Sequence, residues 1–233
     1  MDIPFFFEAD LPANPAHFPL SPETSKHCIQ VLRMQQGESI VLTNGAGLKY
    51  DAVILAADKK QTVVSLANPV FCPRPEPLTT IAISFVKNPA RMEWFLEKAT
   101  ETGVSAVYPL VASRTERTHF KAERWENIIV SAMLQSRQVW KMQLHQPVDF
   151  SQLIQQKMAG LALIAHCEEG VKHSIASMEH AVNRMILIGP EGDFSPGEIT
   201  AAIRQGFKPV SLGNTRLRTE TAGIAAAVLL QNL

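Results

Sequence analysis

Residues 185–192 read MILIGPEG and residues 193–198 read DFSPGE. Residues 185–188 have the length and composition of a buried strand, which breaks at once into Gly189-Pro190-Glu191-Gly192. A second short strand is predicted over residues 208–212 and ends in Ser211-Leu212-Gly213-Asn214. Residues 215–221, TRLRTET, then run into an alanine-rich helix predicted over residues 222–230. Glycine at a strand end lets a ligand approach the backbone with no Cβ in the way. In α/β sheets, strand-end loops are where ligands bind. Two such loops and a polar helix start can form one pocket of backbone amides and carbonyls, although ordinary strand-to-helix turns use the same residue types. The usual phosphate cradles are absent: there is no GxxxxGK[ST] and no GxGxxG after a strand.

Upstream, strands and helices alternate. Strands are predicted over residues 80–86, 104–111 and 161–166, and helices over 91–102, 121–138, 174–182 and 196–205. The first of these helices puts Met92, Phe95, Leu96 and Ala99 on one face and stops at Gly103. The pattern is that of an α/β sheet with helices on both faces. Residues 68–78, NPVFCPRPEPL, hold four prolines and read as a stiff linker at a domain boundary. Before it the texture has period two, with strands over 39–43, 49–56 and 62–67 and turns at residues 44–47 and 58–60, as in a small barrel. An apolar strand opens the chain over residues 1–7, and Ser21-Pro22-Glu23 starts a helix that runs towards Arg33.

Of the 233 residues, 46% are hydrophobic, enough for a real core, and 22 basic residues balance 22 acidic ones. A nucleic-acid partner must therefore be met by a local basic surface. Cys28, Cys72 and Cys167 are far apart and form no CxxC pair, which argues against zinc or a disulfide framework and fits a reducing cytoplasm. No metal, membrane span or signal peptide is expected.

Three blocks carry a resemblance: Ile188-Gly189-Pro190-Glu191-Gly192, then Leu212-Gly213, then Leu217-Arg218-Thr219-Glu220-Thr221-Ala222. In order and spacing they resemble the RsmE family, SPOUT-class methyltransferases that make 3-methyluridine in 16S ribosomal RNA from S-adenosylmethionine. Residues 97–104, EKATETGV, are similar to the family's EKxTELGV block, with Thr102 where leucine is usual. The segment from Tyr108-Pro109-Leu110 to Ser113-Arg114-Thr115 and Arg117 is similar to another, and Gln135-Ser136-Arg137 matches its QSxR element in part. His27, Val31-Leu32-Arg33, Gly37-Glu38 and Asn44-Gly45 follow its N-terminal PUA-like domain. The resemblance covers essentially the whole chain. It implies a PUA-like RNA-binding β-barrel over residues 1–72 and a SPOUT α/β-knot, a deep trefoil, over 73–233. It also implies a homodimer, S-adenosylmethionine as cofactor and 16S ribosomal RNA, within a small-subunit particle, as partner. The rival readings are a SPOUT enzyme acting on another RNA or base atom, and a non-catalytic RNA-binding protein on the same fold.

Strand-end placement and the resemblance together name Leu163, His166, Gly189, Pro190, Glu191, Gly192, Leu212, Gly213, Leu217, Thr221 and Ala222 as cofactor-pocket residues. Arg218, Glu220 and Arg114 are the catalytic candidates, because an arginine aimed at the carbonyls beside uridine N3 stabilises charge released there and a carboxylate can take the proton. Plainer roles compete: helix-start electrostatics for Glu220, an N-cap for Thr219, a hydrogen-bonded half-buried histidine for His166. Arg33, Arg114, Arg117, Lys121 and Arg137 are the RNA-contact candidates. Trp140 offers either base stacking or packing.

Overall fold

The computed structural model describes residues 3–13, 16–116, 120–157 and 159–233. They form two compact units: residues up to Arg74 together with Met133–Lys141, and Pro75–Ala132 together with Met142–Leu233. The division is therefore not at one point in the chain, since a nine-residue excursion joins the first unit.

The first unit holds β1 (Phe5–Phe7), β2 (His17–Pro19), α1 (Pro22–Lys26), β3 (Ser39–Thr43), β4 (Leu48–Ala56) and β5 (Val63–Phe71). The strands form one sheet in the order β1-β3-β4-β5-β2. Ser21 caps α1, its hydroxyl accepting from the Thr24 N–H, and Pro22 takes the first turn as expected. A π-helical turn, His27–Val31, continues it, and Arg33 follows in the left-handed region. Phe6, Leu20, Cys28, Ile40, Leu42, Tyr50, Ile54 and Val64 make the core. The proline-rich stretch differs from expectation, because β5 continues to Phe71 through Asn68-Pro69. A register shift between Lys49 and Asp51 bulges the strand there, with Asn68 at φ 52° and its amide donating to Asp51. A bulge is where a sheet tolerates a residue with no N–H to give.

The second unit contains β6 (Leu78–Ser84), α2 (Pro89–Glu101), β7 (Ala106–Val111), the first part of α3 (Ala122–Gln135), β8 (Gln143–Leu144), β9 (Val148–Asp149) and α4 (Phe150–Gln155). It continues with β10 (Leu161–Ala165), β11 (His173–Ser174), β12 (Asn183–Ile188), α5 (Pro196–Arg204), β13 (Lys208–Ser211) and α6 (Thr219–Gln231). All strand pairs are parallel, in the order β11-β13-β10-β12-β6-β7-β8, with β9 also on β7. Alternate residues serve opposite faces. Ile81, Ile83, Ile186 and Ile188 pack on α2 and α6, while Ala82, Met185 and Leu187 pack on the side of α4 and α5.

The helix expected over residues 174–182 is a single 3₁₀ turn, Ile175–Ser177, after which Met178 is extended. Pairing of Ser174 with β13 and burial of Ile175 override the local helix preference. The last helix begins at Thr219, earlier than its apolar run indicates, so Arg218 and not Thr219 is its N-cap. From β12 the chain crosses β10 to reach β13, then returns, because α6 packs on β6, β12 and α2. Two polar anchors fix the return. The buried Thr219 hydroxyl donates to the Gly189 carbonyl at 3.1 Å. At the other end the buried Arg184 guanidinium donates to the carbonyls of Ala181 (2.7 Å), Leu233 (3.1 Å) and Leu230.

Candidate active site

The carboxyl ends of β10, β12 and β13 and the start of α6 enclose a cavity of about 720 Å³. Parallel strands all present their carboxyl ends on one edge, which explains why residues so far apart in sequence meet here. Its apolar walls are Ala165, Ile188, Pro190, Val210, Leu212, Leu217 and Ala222, and main chain lines it at Gly189 and Gly213. Its charged groups include Lys172, Glu191, Arg216 and Arg218. Of the cofactor candidates, Leu163 is buried in the core, and neither Gly192 nor Thr221 is among the lining residues. The others line the cavity.

The two glycines act differently. A Cβ on Gly189 would come within 3.2 Å of Phe194 and 3.3 Å of the Asp193 carboxylate, so this position serves the close approach of its own loop. Gly213 sits at φ 136°, a conformation open to glycine and strained for other residues, and has nothing near its missing Cβ.

Sequence reasoning missed Asp193, whose signal was an aspartate directly after the glycine loop. It takes the left-handed conformation, φ 61°, that Asp tolerates better than most residues. Its carboxylate accepts from the Cys167 N–H at 2.7 Å and the Phe194 N–H at 2.8 Å. The loops after β10 and β12 are thereby tied together.

His166 does not have the hydrogen bonds of its plainer reading. Both ring nitrogens are buried with no protein partner, on the cavity wall. Burial, seconded by Lys172, lowers its pKa below the ordinary imidazole value, against the opposing pull of Asp193 and Glu168. The ring is therefore neutral at neutral pH and offers one donor and one acceptor. Unpaired polar atoms in a cavity of this size, beside apolar walls and exposed backbone, fit a nucleoside-bearing ligand.

Arg114 Nη1 donates to the Gly192 carbonyl at 2.7 Å, so this arginine braces the loop after β12. Arg216 and Arg218 are exposed, line the cavity and make no ion pair among the described residues. Glu220 is buried outside the cavity lining. Its Oε1 lies 3.6 Å from Arg91 Nε, and its Oε2 has no hydrogen-bond partner. Among the RNA candidates, Arg33 and Arg137 are exposed on the first unit and Arg114 and Lys121 on the second, while Arg117 lies outside the described residues. Nearby Arg124 is engaged by Glu93 at 2.6 Å.

A further brace is the α5 N-terminus. Ser195 and Glu198 form a capping box, and Glu198 also accepts from the Ser113 N–H and hydroxyl, each at 2.8 Å. Burial by itself would raise the Glu198 pKa, but the donors of Ser113 and Ser195 outweigh it and hold the carboxyl below its usual range. A depressed folded-state pKa adds stability above the unfolded-state value, and that stability is lost as pH falls through the folded-state value. Glu198→Ala is expected to cost about 1–2 kcal/mol at pH 7, a typical cap deletion. The gap from wild type should close below about pH 4, where the carboxyl is protonated in the unfolded chain and increasingly in the folded one. Urea titrations at pH 7 and in that acid range check this, and a gap independent of pH would contradict it.

Residues 74–231 match a family model described as an RNA methyltransferase domain, and residues 20–66 match one described as an RNA methyltransferase PUA domain. A Synechocystis protein named Ribosomal RNA small subunit methyltransferase E is 30% identical over 89% of this chain and 70% of its own length. The chain belongs to the RsmE family. Among solved structures, this RsmE-family chain is similar to a probable rRNA-methyltransferase from Porphyromonas gingivalis, with TM-score 0.90, 39% identity and 99% of each chain covered. It is also similar to a putative methyltransferase from Legionella pneumophila in complex with the bound cofactor SAM, with TM-score 0.90 and 32% identity. That match covers 100% of this chain and 98% of the other. The fold is the SPOUT α/β-knot with a PUA-like N-terminal domain, as the three sequence blocks and the His27 to Gly45 series imply. Among the described residues no group of three His, Cys, Asp or Glu is placed to hold a metal, and no helix is long and apolar enough to cross a membrane.

Proposed function

We propose that this RsmE-family chain uses S-adenosylmethionine to methylate N3 of a uridine in 16S ribosomal RNA, in the cytoplasm and as a homodimer. The observation that carries the reading is one cavity that combines an unpaired neutral imidazole, exposed strand-end backbone and two unpaired guanidinium groups. His166 and the main chain at Gly189, Leu212, Gly213 and Leu217 would hold the cofactor, with Ile188, Val210 and Ala222 as apolar walls. Bound there, S-adenosylmethionine supplies a methyl group already activated on a sulfonium.

The protein's own task is to position the base and manage charge. When uridine N3 loses its proton, negative charge spreads to the flanking carbonyl oxygens. Arg218, standing before α6 on the cavity wall, is placed to meet that charge, with Arg216 also on the wall. Glu191 is the carboxylate on the wall whose oxygens are not committed to backbone, unlike those of Asp193, and takes the N3 proton. Arg114 holds the loop, while the first unit serves as the RNA-binding domain and the second as the methyltransferase domain.

Nucleoside mass spectrometry on 16S ribosomal RNA from a deletion strain tests the reading. Loss of 3-methyluridine, restored by the wild-type gene and not by Arg218→Ala, is expected. Loss of a different methylated nucleoside moves the reaction to another base atom, and an unchanged profile leaves a non-catalytic binding protein. The dimer reading has its own support in α6, where Val228 and Leu229 stand 44% and 38% exposed on a helix whose other face is buried. Sedimentation is expected to give a dimer at micromolar concentration, and a monomer there would count against it.

A further inference from the structure

We propose that the first unit carries a stacking site for an unpaired RNA base, built from Phe71, Trp140 and Arg74. The inference rests on the methyltransferase reading and deepens it by naming where the RNA strand is gripped.

Phe71 closes β5, opposite Leu48 in the ladder, and is held there by its strand; yet the residue is 64% exposed. An aromatic ring left in water adds little to the fold. The ring meets Trp140 nearly perpendicularly, at 81° with centroids 6.0 Å apart, an arrangement that leaves a flat face of Phe71 open. Trp140 is itself fixed. Its indole N–H donates to the Cys72 carbonyl at 3.0 Å, and its ring lies so close over Gly47 that a Cβ there would come within 2.6 Å. The Gly47 N–H donates to the Val139 carbonyl and the Cys72 N–H to the Gly47 carbonyl, each at 2.8 Å, so both rings stand on hydrogen-bonded backbone. A surface ordered in advance loses little entropy when something stacks on it.

Arg74 decides what that something is. Its guanidinium carbon lies 5.5 Å from the Trp140 ring centroid, and it makes no ion pair among the described residues. An open π-face on Phe71 and a cation over the neighbouring Trp140 ring match a nucleotide, with the base on Phe71 and the phosphate on the arginine. A duplex keeps its base faces stacked, so the occupant is single-stranded. This also supplies what the neutral chain lacks in bulk charge, since stacking on an aromatic is worth about 1–3 kcal/mol per base.

The test measures fluorescence anisotropy of the full chain with a labelled single-stranded uridine-rich RNA and with a duplex of equal length. Phe71→Ala is expected to weaken single-strand binding about tenfold or more while sparing the duplex and the affinity for S-adenosylmethionine. Phe71→Tyr should keep the affinity and Phe71→Leu should lose it, because leucine retains apolar area without a π-face. Arg74→Ala should reduce the salt slope of single-strand binding by about 0.7, the share of one phosphate contact. Unchanged binding by Phe71→Ala overturns the site alone. Full affinity in Phe71→Leu overturns stacking in favour of apolar docking, and a dimer turned monomer by Phe71→Ala makes this face a contact with a second copy. Wild-type protein that binds neither RNA also overturns the site, whereas the methyltransferase reading falls only if the 16S nucleoside profile of the deletion strain is unchanged.

Discussion

Arg218→Ala is expected to lower the single-turnover methylation rate by about 10²–10³ at saturating RNA and cofactor, the usual cost of removing a donor aimed at developing charge. Both affinities should be largely retained, because the apolar and main-chain walls of the cavity do not depend on this side chain. Lysine at this position should restore little, since a point charge cannot reproduce a planar fork facing a carbonyl. Arg114→Ala should behave differently. Its guanidinium bonds the Gly192 carbonyl, so its loss loosens the loop after β12 and shows first as weaker cofactor binding. Single-turnover assays with calorimetry on both variants separate these roles. A wild-type rate for Arg218→Ala under saturation would move the charge-stabilising role to Arg216, the other unpaired guanidinium on the wall.

Arg184→Met is expected to give the largest loss of stability, about 3–5 kcal/mol. Three carbonyls, those of Ala181, Leu230 and Leu233, lose a charged donor; a buried acceptor left unpaired, as at Leu230, costs about 1–3 kcal/mol, and the part-buried ones at Ala181 and Leu233 cost less because water reaches them. Methionine keeps much of the volume, so the loss reports the hydrogen bonds rather than a cavity. For a domain of this size the melting temperature should fall by about 10 °C. The effect should also reach the site, because α6 carries Arg218 and Ala222 at one end and is pinned by Arg184 at the other. Calorimetric melting and cofactor titration check both parts; an unchanged midpoint would mean that water satisfies these carbonyls as well as the arginine does.

The sequence by itself determined the layered α/β architecture, because buried parallel strands demand apolar runs such as residues 185–188 and their helices a period of 3.6. It also determined the family, since glycine loops and the TRLRTET segment in fixed order are local features. The strand ends that carry His166, Gly189, Leu212 and Gly213 were legible for the same reason. What lay beyond local pattern was decided by contacts between distant residues. The run of prolines after residue 68 reads as a linker, yet pairing with β4 and a bulge at Asn68 carry the strand to Phe71. Residues 174–182 favour a helix, yet pairing with β13 leaves one turn. The roles of single side chains were least legible. Arg114 and Arg218 are the same residue type near the same loop, and only the tertiary structure turns one onto a backbone carbonyl and leaves the other on the cavity wall. Glu220 and His166 divide in the same way: burial takes the carboxylate to Arg91 and leaves the imidazole unpaired at the ligand cavity. Partners 30 to 128 residues away settle such matters, as Thr219 with Gly189 and Gln231 with Gly103 show, because a hydrogen bond depends on distance in space and sequence period records only distance along the chain.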